Sequence, residues 1–248
     1  MYNGTSVKAL VLAAGKGTRL QSDLYNMPKV MRLAAGRPLL AWVLDNLDFL
    51  PVEDIILVVG YMQEKIREQF SNYTFAEQVE QKGTGHAVLC ARNLLKDFDG
   101  AILVCCGDMP LMKKSSYREL LNEHIKNDNA CTLLSGTSDE PLSYGRIVRD
   151  LFGNFERIVE EKDATEAERA IKELNAGVYV FNSKWLFSCL DDLKSDNAQG
   201  EYYLTDVPRM IKERGGNVGV CCSCLGDELL GVNTPEQLIQ AEKILCQD

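Results

Sequence analysis

Apolar residues fall along this chain in two rhythms. Short runs that are apolar at nearly every position predict strands buried on both faces: Val7–Ala14, Asp54–Val59, Ala101–Cys106 and Ala130–Leu134. Between them, apolar residues at three- and four-residue spacing predict helices over Leu39–Leu50, Gln63–Phe70, Thr84–Lys96 and Ser116–Lys126. Strand and helix in alternation predict an α/β fold. The expectation is a Rossmann-like, three-layer αβα arrangement with a mainly parallel sheet between helices on both faces.

Beyond about residue 140 the rhythm loosens. "YGRIVRD" and "FERIVEEKD" read as a two-stranded excursion around a turn at Gly153-Asn154. Residues 175–181 resume a core strand, Trp185–Leu193 is helical, a helix over Val207–Arg214 starts near Asp206, and Val218–Cys222 is a last strand. A closing helix, Pro235–Leu245, is expected to be capped by Thr234, with proline at its first position. No linker, repeat or low-complexity tract interrupts the chain. Residues 1–248 are therefore read as one domain, with halves at about 1–112 and 113–230 and a closing helix over 234–246.

Composition narrows the function classes. Of 248 residues, 46% are hydrophobic and 25% charged, which fits a packed globular chain rather than a disordered one. The formal net charge of −9 speaks against nonspecific binding to nucleic acid or to an anionic membrane. A phosphate ligand would need positive charge concentrated locally. No apolar stretch approaches the roughly 18 residues of a membrane helix, and the run Ala9–Ala14 leads directly into Lys16 and Arg19, unlike a signal peptide. Nine cysteines are present, several (Cys105, Cys106, Cys131) in strand-like runs where they read as small core residues. Cys221 and Cys224 have a C-x-x-C spacing, but with no second pair and two histidines in the chain a zinc site is not expected. An odd number of thiols without an export signal points to a reducing cytoplasm.

Candidate chemistry begins where the first strand ends. In "VLAAGKGTRL" (11–20), Gly15 and Gly17 let the backbone turn sharply, at the strand end where parallel sheets hold ligands. Backbone N–H groups with Lys16 and Arg19 would form an anion cradle; the alternative is a tight turn with solvated charges. A dinucleotide loop fails because Leu20 stands where glycine is needed, and a P-loop fails because Thr18 follows Gly17. Downstream, "MPKV" places Lys29 behind the stiff Pro28, a compact ammonium suited to phosphate.

Here a resemblance becomes specific. "LAAGKGTRL", "MPKVM" and "AGRPLL" resemble the opening signature of sugar-1-phosphate nucleotidyltransferases, most closely the uridylyltransferase (pyrophosphorylase) domain of the bacterial N-acetylglucosamine-1-phosphate uridylyltransferases. Similar blocks continue in order: "EQVEQKGTGHAV" (77–88), "CGDMPL" (106–111), "YGRIVRD" (144–150), "IVEEKDAT" (158–165), "ELNAGVYVF" (173–181), "NAQGEYYLTDV" (197–207) and "GVNTPEQL" (231–238).

The resemblance implies a nucleotidyltransferase fold and a reaction. UTP and N-acetylglucosamine 1-phosphate would give UDP-N-acetylglucosamine and pyrophosphate, by Mg²⁺-dependent in-line attack of the sugar phosphate on the α-phosphate. It implies nucleotide contacts from Leu12, Ala13, Ala14, Gly15, Gly17, Thr18, Gln78, Gln81, Gly83, Thr84, Cys106 and Gly107. Glutamine amides carry both donors and acceptors, which suits the carbonyl, N–H, carbonyl edge of uracil. Arg19, Lys29 and Asp108 would be catalytic. Asp108 and Asn233 would hold Mg²⁺, which needs few protein ligands because it keeps waters and takes phosphate oxygens. Gly145, Glu160, Asn175, Tyr203 and Thr205 would bind the sugar phosphate. For several of these the residues alone allow a plainer role. Gln78 and Gln81 could be a polar turn with Thr84 as helix cap, Asp108 a turn former, and Glu160 part of a solvated charged edge. His86 reads as structural.

The chain departs from the pattern in places. The segment "SDLYNMPK" is longer than the usual spacing, Cys106 stands where tyrosine is common, and "NAG" replaces "NTG". These leave the reaction class standing and open the identity of the substrates: another sugar 1-phosphate or nucleotide, or a nonenzymatic nucleotide-sugar sensor, are the alternatives. No hexapeptide repeats follow the last helix, so a left-handed β-helix domain and acetyl transfer are not expected.

Overall fold

The computed structural model describes residues 1–139 and 142–247, apart from the side chain of Asp23. In chain order, β1 (Val7–Ala13) is followed by a two-residue ribbon, β2 (Leu33–Ala34) and β3 (Arg37–Pro38), then α1 (Leu39–Asp45), β4 (Ile55–Val59), α2 (Gln63–Gln69) and β5 (Thr74–Glu77). Next come α3 (Thr84–Cys90), α4 (Arg92–Leu95), β6 (Ala101–Cys106), α5 (Lys114–Lys126), β7 (Cys131–Thr137), β8 (Arg146–Arg149) and β9 (Phe155–Val159). The chain continues through α6 (Glu166–Arg169), β10 (Glu173–Asn182), α7 (Ser183–Leu190), α8 (Val207–Glu213), β11 (Val218–Cys222) and α9 (Pro235–Leu245). Among the described residues, no helix is long and apolar enough to cross a membrane.

The main sheet runs β11-β7-β10-β6-β1-β4-β5. Pairs β1–β4, β1–β6, β4–β5 and β7–β11 are parallel, while β10 lies antiparallel between β6 and β7. The sheet is thus mixed but mostly parallel, as the continuous apolar runs predict. Period-two alternation divides each central strand between two cores. Ala9, Val11, Leu57, Leu103 and Cys105 face α1 and α5 through Leu40, Val43, Tyr117 and Leu120. Leu10, Ile56, Val58, Ile102 and Val104 face α3, α7 and α8 through Val88, Leu186, Leu190 and Ile211. The result is three layers.

Several boundaries differ from the expectation. The predicted Leu39–Leu50 helix stops at Asp45 and gives way to turns in which Leu47 and Leu50 are still buried, so the apolar spacing continued after the helix had ended. Thr84–Lys96 splits at Ala91, between α3 and α4. The edge strand β5 was not foreseen, because only Ala76 of its four residues is fully buried and no alternation shows. The excursion is present as the β8–β9 hairpin, turned at Gly153 with φ 82° and held by Asp150 Oδ1, which accepts from the Phe152 and Asn154 amides. Thr234 caps α9 with a full capping box.

The sheet also decides where a ligand can go. From β1 the chain crosses to β4 on one side and later to β6 on the other, so neighbouring strand ends send their loops apart. Open α/β sheets bind ligands in the crevice at such a switch point, beyond the carboxyl ends of the strands.

One core group carries a pH signature. His124 on α5 is 5% exposed, with Nδ1 3.1 Å from Thr132 Oγ1, and burial lowers its pKa from 6.5 to about 4. Between those values the unfolded chain binds the proton and the folded chain does not, so stability falls as pH drops through that window. From pH 7 to pH 5 this group should cost about 2 kcal/mol, and a His124→Gln variant should show a correspondingly shallower acid limb. Urea unfolding of both proteins at the two pH values checks this.

Candidate active site

The parallel pairing of β1 and β6 aligns Leu12 with Cys106, and Gly107 N donates to Leu12 O at 2.9 Å, one residue past β6. The loops after both strands therefore leave from one edge, and Asp108 stands beside the Gly15–Gly17 loop. Gly17 has φ 68°, and a Cβ there would lie 2.6 Å from Lys29 Cβ and 2.8 Å from Ser22 Oγ. Only glycine lets Lys29 come this close to the loop. Lys29 itself opens a 3-10 turn, Lys29–Met31, anchored by buried Val30 and Met31 and preceded by Pro28 in extended backbone.

Four side chains from distant parts of the chain converge here. The Lys29 ammonium donates to the Asp108 carboxylate and, at 2.8 Å, to Asn233 Oδ1. Arg19 Nη2 donates to the same Asn233 oxygen at 3.0 Å. Val232 N donates to Asp108 O at 2.9 Å, which fastens the segment carrying Asn233 to the β6 loop. Tyr144 braces that segment from the other side: its hydroxyl donates to Leu229 O and accepts from Gly231 N, both at 2.7 Å. Among the described residues, no group of three or more histidine, cysteine or acidic side chains is placed to hold a metal. Asp108 and Asn233 nevertheless offer two hard oxygen donors already joined by one cation, the Lys29 ammonium. That donor set fits Mg²⁺, which is satisfied by one or two protein ligands plus waters and phosphate.

On one side of this cluster lies a cavity of about 270 Å³, lined by Leu12, Ala13, Ala14, Gly15, Lys29, Gln78, Gln81, Gly83, Thr84, Cys106 and Asp108. Gln78 is buried, and its Nε2 donates to Gly83 O at 3.0 Å. Gln81 Nε2 donates to Gln78 O at 3.1 Å. Gly83 has φ 107°, and Thr84 Oγ1 accepts from Leu204 N at 3.0 Å, tying the start of α3 to the opposite wall.

On the other side, a cavity of about 190 Å³ is lined by Gly145, Glu160, Asn175, Thr205 and Asn233. The two cavities share Leu12, Thr84, Cys106 and Asp108. Thr205 Oγ1 donates to Glu160 Oε1 at 2.9 Å, and burial raises the Glu160 pKa despite that bond. Asn175 Nδ2 donates to the Tyr179 hydroxyl at 2.7 Å, while its Oδ1 accepts from Gly177 N at 3.2 Å. Here β10 slips register against β7 between Asn175 and Tyr179, which turns Gly177 (φ 68°) toward Cys106. The Cys106 thiol is held protonated by burial first and by Asp108 second, so it is no nucleophile.

Not every residue named from sequence reaches these cavities. Gly17, Thr18, Arg19 and Gly107 line neither, although Arg19 reaches the cluster through Asn233. Tyr203 turns away: its hydroxyl donates to Asp163 Oδ2 at 3.2 Å and accepts from Gln199 Nε2 at 2.9 Å, in a neighbouring cavity that also touches Glu160 and Thr205. The lining residues that were missed include Tyr144 and Tyr179 in the second cavity and Glu201 in the first. These three lie inside the quoted motif blocks, one to four residues from residues that were named.

The family model described as nucleotidyl transferase matches residues 8–223. The bifunctional protein GlmU of Geobacillus sp. (strain WCH70) is 44% identical over 96% of this chain and 51% of its own length. The bifunctional protein GlmU of Staphylococcus epidermidis is 43% identical over 96% of this chain and 52% of its own. The chain thus spans about half the length of these relatives. Among solved structures, a Bacillus anthracis protein assigned as a glucose-1-phosphate thymidylyltransferase, in complex with a sucrose, superposes with a TM-score of 0.74 at 19% identity. It covers 96% of this chain and 95% of its own, which shows the shared fold.

Proposed function

The chain belongs to the nucleotidyl transferase family, and from that premise we propose that it transfers the uridylyl group of UTP to N-acetylglucosamine 1-phosphate, releasing pyrophosphate. One observation carries this reading: Lys29, Asp108, Asn233 and Arg19 meet where two cavities adjoin, and Asp108 walls both. A group-transfer site for two ligands needs this plan, with the charged groups between the ligands rather than inside either pocket.

In this reading the nucleoside occupies the cavity of Gln78, Gln81 and Gly83, and the sugar that of Gly145, Glu160 and Asn175. The attacking phosphate is already ionised, its second pKa being about 6, so no side chain has to act as general base. The work left to the protein is alignment and charge neutralisation of two polyanions. Lys29 neutralises charge around the reacting α-phosphate, and Arg19 holds the departing phosphates. Asp108 and Asn233 would hold Mg²⁺, which would supply charge neutralisation to the phosphates. Residues 1–112 and 113–230 act as nucleotide and sugar halves of one domain, joined where β10 pairs with β6. The nine free cysteines suit a reducing cytoplasm.

The test is a pyrophosphate-release assay with UTP, CTP, ATP, GTP and dTTP against a panel of sugar 1-phosphates. The expected result is fastest Mg²⁺-dependent turnover with UTP and N-acetylglucosamine 1-phosphate. Faster turnover with another pair would reassign the substrates, and nucleotide binding without any product would make the protein a sensor.

A further inference from the structure

We propose that His86 is a positioning residue that sharpens base specificity by taking up, together with Gly83 O, the amide protons of Gln78, so that this side chain offers the base only its oxygen. The inference rests on the assignment of Gln78 to the base, and asks what decides whether that amide offers a donor or an acceptor.

Two contacts answer it. The amide nitrogen of Gln78 lies 3.0 Å from Gly83 O and 3.1 Å from His86 Nδ1. A backbone carbonyl can only accept, so the group facing Gly83 must be the NH₂ and not the carbonyl oxygen. The second N–H of that NH₂ then points at His86 Nδ1, which must be an unprotonated acceptor. His86 is therefore the Nε2–H tautomer. With both amide protons committed to the protein, Gln78 has only its Oε1 left to offer, and among the described residues Oε1 makes no hydrogen bond. Gln78 thus presents a pure acceptor from a side chain that is itself only 3% exposed.

A pure acceptor selects for a base with an N–H on its facing edge. Uracil presents N3–H there, whereas cytosine presents a bare N3 that would set acceptor against acceptor. Leaving buried polar groups unpaired is what allows a hydrogen-bonding site to reject an analogue strongly. Each part of the relay is independently fixed. Gly83 holds φ 107°, and a Cβ there would sit 2.6 Å from Tyr202 O, so its carbonyl cannot shift freely. His86 lies on α3, with Cys90 Sγ 3.9 Å from its Nε2, and Tyr202 packs near its ring at 6.4 Å between centroids. Without the imidazole, one amide proton of Gln78 loses its acceptor and is left free, so the amide, still held by Gly83 O through its other proton, can offer a donor to the base beside its Oε1.

The experiment compares wild type, His86→Leu and His86→Asn, each checked for an unchanged thermal unfolding midpoint. Steady-state rates are measured with UTP and with CTP at saturating N-acetylglucosamine 1-phosphate. Leucine removes the acceptor; asparagine replaces it, since its Oδ1 falls near the Nδ1 position. The expected result for His86→Leu is a KM for UTP raised about tenfold, a smaller fall in kcat, and a UTP-over-CTP preference reduced about tenfold, as for one lost hydrogen bond. His86→Asn should restore most of the preference. A folded His86→Leu protein with the wild-type UTP-over-CTP ratio would overturn the inference while leaving the base assignment intact, as would His86→Asn behaving like leucine. A wild type that does not prefer UTP would instead overturn the base assignment, and the inference with it.

Discussion

Replacing Asp108 with alanine is expected to lower turnover about 10²–10³-fold, the usual cost of losing one preorganised electrostatic partner. Among the described residues, Asp108 is the only carboxylate in the Lys29, Arg19 and Asn233 cluster, and it walls both cavities. Its loss removes one of the two oxygens proposed for Mg²⁺ and frees the Lys29 ammonium, which then rests on Asn233 alone. The fold should hardly notice. The Asp108 side chain is 19% exposed, and such partly solvated pairs contribute roughly 0–1 kcal/mol to stability. An Asp108→Asn variant keeps an oxygen but not its charge, and should fall between alanine and wild type. Pyrophosphate release at saturating substrates, with Mg²⁺ titrated, decides the matter. Alanine that keeps full Mg²⁺-dependent turnover would remove Asp108 from the proposed chemistry.

Gly83→Ala should produce the second large effect, on stability and nucleotide binding together. The residue sits at φ 107° and ψ 175°, a region that essentially only glycine occupies, at a cost of about 1–3 kcal/mol for other residues. A methyl group would also lie 2.6 Å from Tyr202 O and 2.9 Å from Tyr202 N, backbone atoms that cannot swing aside as a side-chain tip could. That stretch of backbone is itself bonded, Tyr202 N to Lys82 O and Gly85 N to Tyr202 O, both at 2.8 Å. We expect a loss of about 3 kcal/mol by urea unfolding, with KM for UTP raised at least tenfold because Gly83 O anchors Gln78. Unchanged unfolding and unchanged KM would show that the turn relaxes at no cost.

What could be read from the chain depended on how local the cause was. β1, β4, β6 and β7 were visible because their residues are buried on both faces and leave apolar runs. The start of α9 was visible because its cap, Thr234, stands directly before Pro235; the structure adds Gln237 as the answering half of a capping box. β5 was hidden, since an edge strand with one fully buried residue leaves no pattern. The break at Ala91 was hidden too, because apolar spacing continues across it through Val88, Ala91 and Leu95. Long-range contacts left no periodic trace at all. Glu228 accepts from Lys113 N and Ser116 Oγ and so caps α5 from far along the chain, and no helix rule applied to residues 113–116 could supply it.

The candidate site divides in the same way. Gly17 and Lys29 were suggested by local chemistry, glycine for the turn and positive charge for phosphate, whereas Asp108 read locally as a turn former and was raised only by the resemblance. The importance of Asn233 could not be derived locally, since it meets Lys29 across 204 residues; motif resemblance alone pointed to it. Tyr144 and Tyr179 were passed over because a tyrosine in a strand-like run is read as core, and their hydroxyl contacts exist only after folding.

The wall between the two cavities has a further consequence. Leu12, Thr84, Cys106 and Asp108 belong to both, so the partition is a single layer of side chains. A molecule lodged in one chamber completes the surface that its neighbour meets, and the two occupancies cannot be energetically independent. A short tether joining an occupant of each would turn the second docking into an intramolecular event, at an effective concentration on the order of millimolar. For a chemist seeking a tight inhibitor, the thinness of that partition matters more than the volume of either chamber.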